Sequence, residues 1–297
     1  MPDRTELLAA EYDALRPRMV RVAYAILGSR AEAEDVVADC WTRLVDADAR
    51  EPVRDLTGWL TVAVARAATD VLRSARVRRE TYVGPWLPEP FVAATPGPED
   101  PADRVSLDET VGYALLVVLE SLSPAERTAF VLHDVFGMGF PEVAVVVGRT
   151  PAAVRQLASR ARARLAAQRP RFEVDRAAHE AVLGRFLTAA AGGDLEALLL
   201  TLDPQVVVTS DGGGVVSAAR RPVLGADRAA RYLLGIVAKY VDQQAEVDLL
   251  VANGLPAIGI RQDGALTSLV VLTVVGGQVT RVDIVRAPAK LAAADLR

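Results

Sequence analysis

Apolar residues near the start of the chain recur at helical spacing. Leu8, Leu15, Met19, Val22 and Ile26 follow one another at steps of three to seven residues, the repeat of one buried helical face. Pro17 predicts a break or kink in this stretch, and Gly28 a stop. Ser29, with Glu32 three residues on, reads as the capping box of a second helix. Its stripe of Ala33, Val36, Val37, Cys40 and Leu44 leaves Glu34, Asp35, Asp39 and Arg43 outward. A third helix, from about Thr57 to Arg76, turns Leu60, Val64, Ala67 and Val71 inward and Arg66, Thr69, Arg73 and Arg76 outward.

The pattern then changes. Between Arg79 and Pro101 lie six prolines, densest in Pro85-Trp86-Leu87-Pro88-Glu89-Pro90, too many for helix or sheet. This stretch predicts a semi-rigid linker at a domain boundary, although Trp86, Leu87 and Phe91 are apolar for a passive spacer. Helical spacing returns with one helix over Val105–Leu122 and another opened by the cap Ser123-Pro124-Ala125-Glu126. A short helix from Phe140 to Val147 is closed by Gly148, and Thr150-Pro151 opens a longer one. Beyond Pro170 the signal is mixed. Helices are predicted over Val174–Ala191, Leu195–Thr201 and Ala226–Tyr240. Strands are predicted at Val206–Thr209, Ala245–Val251, Ala257–Arg261, Leu266–Val275 and Gln278–Arg286, with Asp263-Gly264 and Gly276-Gly277 as hairpin turns. Helices followed by an antiparallel run imply an α+β domain.

Composition changes this picture little; charge changes it more. Of 297 residues, 51% are hydrophobic and 24% charged, an ordinary globular balance that excludes disorder throughout. No apolar run approaches the roughly 20 residues of a membrane span. The acidic N-terminus does not read as a signal peptide, and a lone Cys40 excludes an internal disulfide, so a cytoplasmic protein is expected. The net charge of −4 conceals a basic segment: residues 149–171 hold seven arginines and no acid. That concentration of positive charge predicts a local polyanion site.

The same segment carries the punctuation of a helix-turn-helix. On its second helix Val154, Leu157, Ala158, Ala161 and Leu165 face inward, while Arg155, Gln156, Ser159, Arg160 and Arg162 face solvent. Recognition-helix N-termini reach base edges, which places Thr150, Ala152, Arg155 and Gln156 nearest the major groove. Arg160, Arg162, Arg164 and Arg169 would meet phosphates and set register. An arginine-rich solvated helix face is the plainer alternative; the combination of caps, turn and acid-free charge favours DNA.

Leu122-Ser123-Pro124-Ala125-Glu126-Arg127, Phe140-Pro141-Glu142-Val143-Ala144 and Val154-Arg155-Gln156 with Ser159-Arg160-Ala161-Arg162 together resemble region 4 of extracytoplasmic-function (ECF) sigma factors. Ala33-Glu34-Asp35-Val36-Val37-Ala38-Asp39-Cys40-Trp41 resembles region 2, with Ala38 where the family often has Gln. The resemblance implies core RNA polymerase as partner of Glu34, Asp35 and Asp39. It implies −10 promoter DNA as partner of Arg66, Thr69, Arg73 and Arg76, and −35 DNA as partner of the 150–164 face. Taken alone, either region 2 stripe reads as a solvated helix face.

Trp86-Leu87-Pro88-Glu89-Pro90 resembles the linker of the ECF subgroup with a fused SnoaL-like domain, the sigma J type. Asp211-Gly212-Gly213-Gly214-Val215 resembles that group's Asp-Gly-Gly-Gly-Lys, and Pro288-Ala289-Lys290-Leu291 its terminal Asn-Pro-Asp-Lys-Leu. The implied architecture is multidomain: two all-α sigma domains, region 2 over residues 6–78 and region 4 over 105–170, joined by a linker over 79–104. An α+β NTF2-like cone domain follows over 174–297. Trp86, Leu87, Pro88 and Phe91 are then expected to contact Asp211, Gly212, Gly213, Gly214 or Lys290 and so regulate the factor. His179, Asp203, Asp211, Asp248, Arg281 and Asp283 show no paired catalytic spacing, so no enzyme, metal or cofactor is expected, and no pocket ligand is named. The rival reading is an NTF2-like enzyme or sensor fused to a DNA-binding module that never engages polymerase.

Overall fold

The structure, a computed structural model, describes residues 4–80, 82, 84–93, 112–167 and 176–292. It divides into two compact units: Met1–Glu80 with Leu115–Gln168, and Thr81–Ala114 with Arg169–Arg297.

The first unit is helical. α1 (Arg4–Leu27), α2 (Arg30–Arg50) and α3 (Leu56–Glu80) pack on one another. Ser29 caps α2 by accepting the Glu32 N–H, and the stripe predicted for α2 is buried throughout. Pro17 breaks nothing, and α1 runs through it. The proline is exposed, and Met19, Val22 and Ile26, all buried, hold the helix against its neighbours. After α4 (Tyr113–Leu119), which belongs to this unit from Leu115 on, and the capping box at Ser123–Glu126, α5 (Pro124–Phe130) runs into a π-type turn over Val131–Val135. α6 (Phe140–Val147) and α7 (Pro151–Ala167) complete the unit. The predicted Val105–Leu122 helix is shorter than expected within the described residues, and its first turns lie outside them.

The second unit is a mixed sheet with helices. α8 (Arg176–Ala191) and α9 (Leu195–Thr201) lead into β2 (Leu202–Asp211), then β3 (Val223–Leu224) and α10 (Ala226–Asp242). β4 (Glu246–Ala252), β5 (Leu255–Gln262), β6 (Ala265–Val275) and β7 (Gln278–Val285) form the predicted antiparallel run. α11 (Pro288–Leu291) follows. With β1 (Val92–Ala93) at one edge, the strand order is β1-β4-β5-β6-β7-β2-β3, with β2 and β7 parallel and the other pairs antiparallel. One face of the sheet meets α8, α9 and α10 in a core that includes Phe186, Leu198, Leu233, Ile258, Leu272 and Val282.

The proline-rich segment belongs to this unit. Leu87, Pro88, Glu89 and Pro90 are buried, and β1 (Val92–Ala93) adds itself to β4 at the edge of the sheet. Phe91 and Asn253 exchange hydrogen bonds, at 3.0 Å from the Phe91 N–H to Asn253 Oδ1 and 2.9 Å from the Asn253 N–H to the Phe91 carbonyl. Burying Leu87 alone is worth about 1.5–3 kcal/mol. An apolar segment without its own regular structure gains by docking on a sheet.

Candidate functional site

The helix-turn-helix is built as the sequence predicts. Gly148 ends α6 at φ 67°, in the left-handed region that suits glycine, and Thr150 Oγ1 accepts the Ala153 N–H at 3.3 Å to start α7. Val154, Leu157, Ala158, Ala161 and Leu165 are buried. Thr150, Ala152, Arg155, Gln156, Ser159, Arg160, Arg162 and Arg164 are all exposed on one unit. Arg155 sits over the Phe140 ring, 5.3 Å from its centroid, and Phe140 stacks on His133. The other arginines are tethered: Arg162 Nε reaches Asp134 at 2.6 Å, and Arg164 and Arg160 reach Glu126 at 2.9 and 3.6 Å. Burial pushes the Glu126 carboxyl up, but hydrogen bonds from Ser123 and the charges of Arg164 and Arg160 outweigh it and hold the group below its ordinary range. Acids from α5 and the π-type turn thus orient the basic face, which spacing along α7 alone could not reveal.

On α2, Asp35 and Asp39 are exposed, while Glu34 is half-buried and accepts Arg30 Nε at 2.8 Å. On α3, Arg66 donates to the Val145 carbonyl from Nη2 at 2.7 Å, and Arg73 pairs with Asp70. Arg76 lies on α3, its side chain outside the described residues. Thr69 does not lie on an open face. It is 2% exposed, its Oγ1 2.9 Å from Thr128 Oγ1 on α5, because that side of α3 packs on α5 and α6. Beside it, Arg127 is buried and its Nε reaches the Ala25 carbonyl at 3.4 Å.

In the second unit the segments singled out by sequence come together at Asp211. Its carboxylate is fully buried at the end of β2. Oδ2 accepts the Leu87 N–H at 2.9 Å and Lys290 Nζ at 2.6 Å; Oδ1 accepts the Gly213 N–H at 2.9 Å and the Tyr82 hydroxyl. Lys290 also donates to the Leu87 carbonyl and lies 4.0 Å from the centroid of Trp86, a cation–π contact. Tyr113 donates to the Pro88 carbonyl at 3.1 Å. Gly213 has φ 69°, and a Cβ on Gly212 would stand 2.2 Å from the Val216 carbonyl oxygen, so the loop needs both glycines. Gly214 and Val215, exposed, take no part in these contacts. Burial and the Asp211 hydrogen bond push the Tyr82 hydroxyl well above its ordinary range, which keeps it a donor. Tyr82, Tyr113 and Asn253 were not singled out from sequence, since lone residues far apart in the chain carry no spacing signal.

Arg281 and Asp283, two residues apart on β7, form an ion pair, and Arg281 Nη2 donates to Thr209 Oγ1 at 2.9 Å. Burial raises the Asp283 carboxyl, against the pull of Arg281 and Thr209. His179 is buried against the Pro256 carbonyl and shares no contact with Asp203 or Asp248 among the described hydrogen bonds. Among the described residues no group of three His, Cys, Asp or Glu side chains could hold a metal, and no helix is long and apolar enough to cross a membrane.

Residues 12–78 match the family model for Sigma-70 region 2, and residues 113–165 that for Sigma-70, region 4. The ECF RNA polymerase sigma factor SigJ of Mycobacterium tuberculosis (strain ATCC 25618 / H37Rv) is 44% identical over 232 residues, 78% of this chain and 73% of that one. The probable ECF RNA polymerase sigma factor SigI of the same strain is 36% identical over 296 residues, 96% of this chain and 94% of that one. The crystal structure of M. tuberculosis SigJ matches at TM-score 0.78 and 35% identity, covering 97% of this chain and 100% of that one. The chain belongs to the ECF RNA polymerase sigma factors. Like them it binds core RNA polymerase and directs it to promoter DNA to initiate transcription, using sigma region 2 and region 4 helical domains beside a C-terminal mixed-sheet domain. Sigma factors are not enzymes, and the presence of region 2 disfavours a DNA-binding protein that never meets polymerase.

Proposed function

We propose that the C-terminal domain controls this sigma factor in cis, without catalysis of its own, by holding the segment between regions 2 and 4. The observation that carries the reading is the Asp211 carboxylate, buried and gathering donors from Tyr82, Leu87, Gly213 and Lys290. A tethered contact acts at an effective concentration of about millimolar, so even weak docking biases where regions 2 and 4 can move. In this reading regions 2 and 4 span residues 6–78 and 105–170, the linker 79–104 and the regulatory domain 174–297. Trp86, Leu87, Pro88 and Phe91 are the docked residues, and Asp211, Gly212, Gly213 and Lys290 the receiving ones, with Gly214 outside the contact. The domain's α+β form resembles the SnoaL-like, NTF2-like class.

In the same reading Asp35 and Asp39, with Glu34 at their edge, meet a basic surface of core polymerase, where charge complementarity sets approach and register. Arg66, Arg73 and Arg76 serve the −10 element, and Thr69 joins them once region 4 leaves α3. On α7, Thr150, Ala152, Arg155 and Gln156 serve −35 bases, and Ser159, Arg160, Arg162 and Arg164 its phosphates. The factor works in the cytoplasm, beside the polymerase. The test reconstitutes holoenzyme from core polymerase and the full chain, the Trp86→Ala variant or the Lys290→Met variant, at equal protein levels. Promoter-dependent transcription is expected to differ from that of the parent in both variants; equal output from all three overturns the cis-control reading.

A further inference from the structure

A cavity of about 400 Å³ lies in the C-terminal domain on the side of β2 and β7 covered by α10. That volume falls in the range of small-molecule sites. Its apolar wall comes from Tyr232 and Ile236 of α10 and Ile284 of β7. Its charge comes from Arg286 and Lys239, and its lining includes no carboxylate. Arg286 is held in place: Nε donates to Ser268 Oγ at 3.2 Å and Nη1 to the Ser217 carbonyl. Ser268, fully buried, is in turn 2.6 Å from the Tyr240 hydroxyl, so the guanidinium, a hydroxyl and an aromatic ring form one fixed corner. A planar guanidinium that is already oriented suits a carboxylate, which it meets with two parallel hydrogen bonds. Two cations against an apolar wall suit one carboxylate on a hydrophobic body better than a polyphosphate.

We infer that this cavity binds a small organic acid, its carboxylate on Arg286 and Lys239 and a ring-sized apolar body against Tyr232, Ile236 and Ile284. The site also lies back to back with the Asp211 contacts. Neighbouring strand residues point to opposite faces, so Ser210 lines the cavity while Asp211 holds Leu87 and Lys290. The Arg286 N–H donates to the Asp211 carbonyl at 2.7 Å, and the loop that starts with the glycine triplet supplies Ser217 to the cavity wall. Filling the cavity therefore shifts the hold on the 82–92 segment; this second step rests on the cis-control reading above.

The probe is 2-naphthoate, with 2-naphthamide as its uncharged counterpart, titrated calorimetrically into the full chain. The acid is expected to bind at least about tenfold more tightly than the amide, the loss that goes with a charge-assisted pair. Ile236→Trp, which fills the cavity, abolishes binding, and Lys239→Gln, an exposed change, weakens it about two- to fivefold. No binding by the acid, equal binding of acid and amide, or full retention in folded Ile236→Trp overturns the site. In holoenzyme, naphthoate is expected to change transcription by the parent and not by Ile236→Trp. Binding with unchanged transcription overturns the coupling, while the Trp86→Ala and Lys290→Met comparison, run without naphthoate, decides cis control separately.

Discussion

Asp211 has no solvent exposure, and its ion pair with Lys290 is 2.6 Å long. Removing one member of such a pair leaves the other charge buried, at about 3–5 kcal/mol, whereas removing both restores much of the loss. Lys290→Met should therefore lower stability to urea by about that amount, with the Lys290→Met, Asp211→Asn double variant nearer the parent than the single. A second residue predicts a pH dependence. His179 is buried, and that burial outweighs the Pro256 carbonyl and Glu180 to hold its imidazole below the ordinary value. A histidine depressed in the folded state gives stability that is complete above its unfolded pKa of 6.5 and is lost as pH falls through it. Unfolding free energy should drop as pH falls below about 6.5, and His179→Gln should flatten that drop. Sequence spacing offered His179 no catalytic partner, and the structure buries it as a packing residue. Asp211 and Lys290 were legible through the motifs that contain them; Tyr82 was not, since only the folded sheet end brings it to Asp211.

Helices whose faces are buried against a single core were legible at the scale of elements. α2 and α7 show their stripes in sequence because each buries one side and solvates the other. The misreading of α1 has the opposite cause: local proline chemistry predicted a break, and packing on α2 and α3 held the helix together. β1 is two residues long and exists only through its pairing with β4, so no local period announces it. The exposed basic face of α7 gives the prediction at this scale. Arg155 is free of carboxylate partners among the described contacts, whereas Arg164 is pinned by Glu126. Arg155→Ala should cost about 1–3 kcal/mol on the preferred promoter and relax choice at one −35 position. Arg164→Ala should weaken binding evenly across sequences and lessen its salt dependence. Both are read by binding of holoenzyme to a set of promoter variants at two salt concentrations; unchanged base preference in Arg155→Ala removes the groove assignment.

For the molecule as a sigma factor, the arrangement within the helical unit matters most. Region 2 and region 4 lie in one compact unit, with Arg66 on the Val145 carbonyl and Thr69 on Thr128. The charge pattern identified the basic α3 face but not what covers it, because a threonine among arginines reads as polar surface until a partner helix is known. A buried hydroxyl pair of this kind is worth about 0.5–1.5 kcal/mol, small enough to be exchanged for contacts with DNA and polymerase. The same geometry lets the closed arrangement be trapped. With the two Oγ1 atoms 2.9 Å apart, a Thr69→Cys, Thr128→Cys variant brings two thiols within reach of the roughly 3.8 Å Cβ separation of a disulfide. The native Cys40 is buried and burial holds its thiol above its ordinary pKa, so it should not compete. Oxidised, the variant should bind promoter DNA with core polymerase far less than the parent, and dithiothreitol should restore it. Undiminished open-complex formation by a fully oxidised chain would show that α3 serves the promoter without parting from α5.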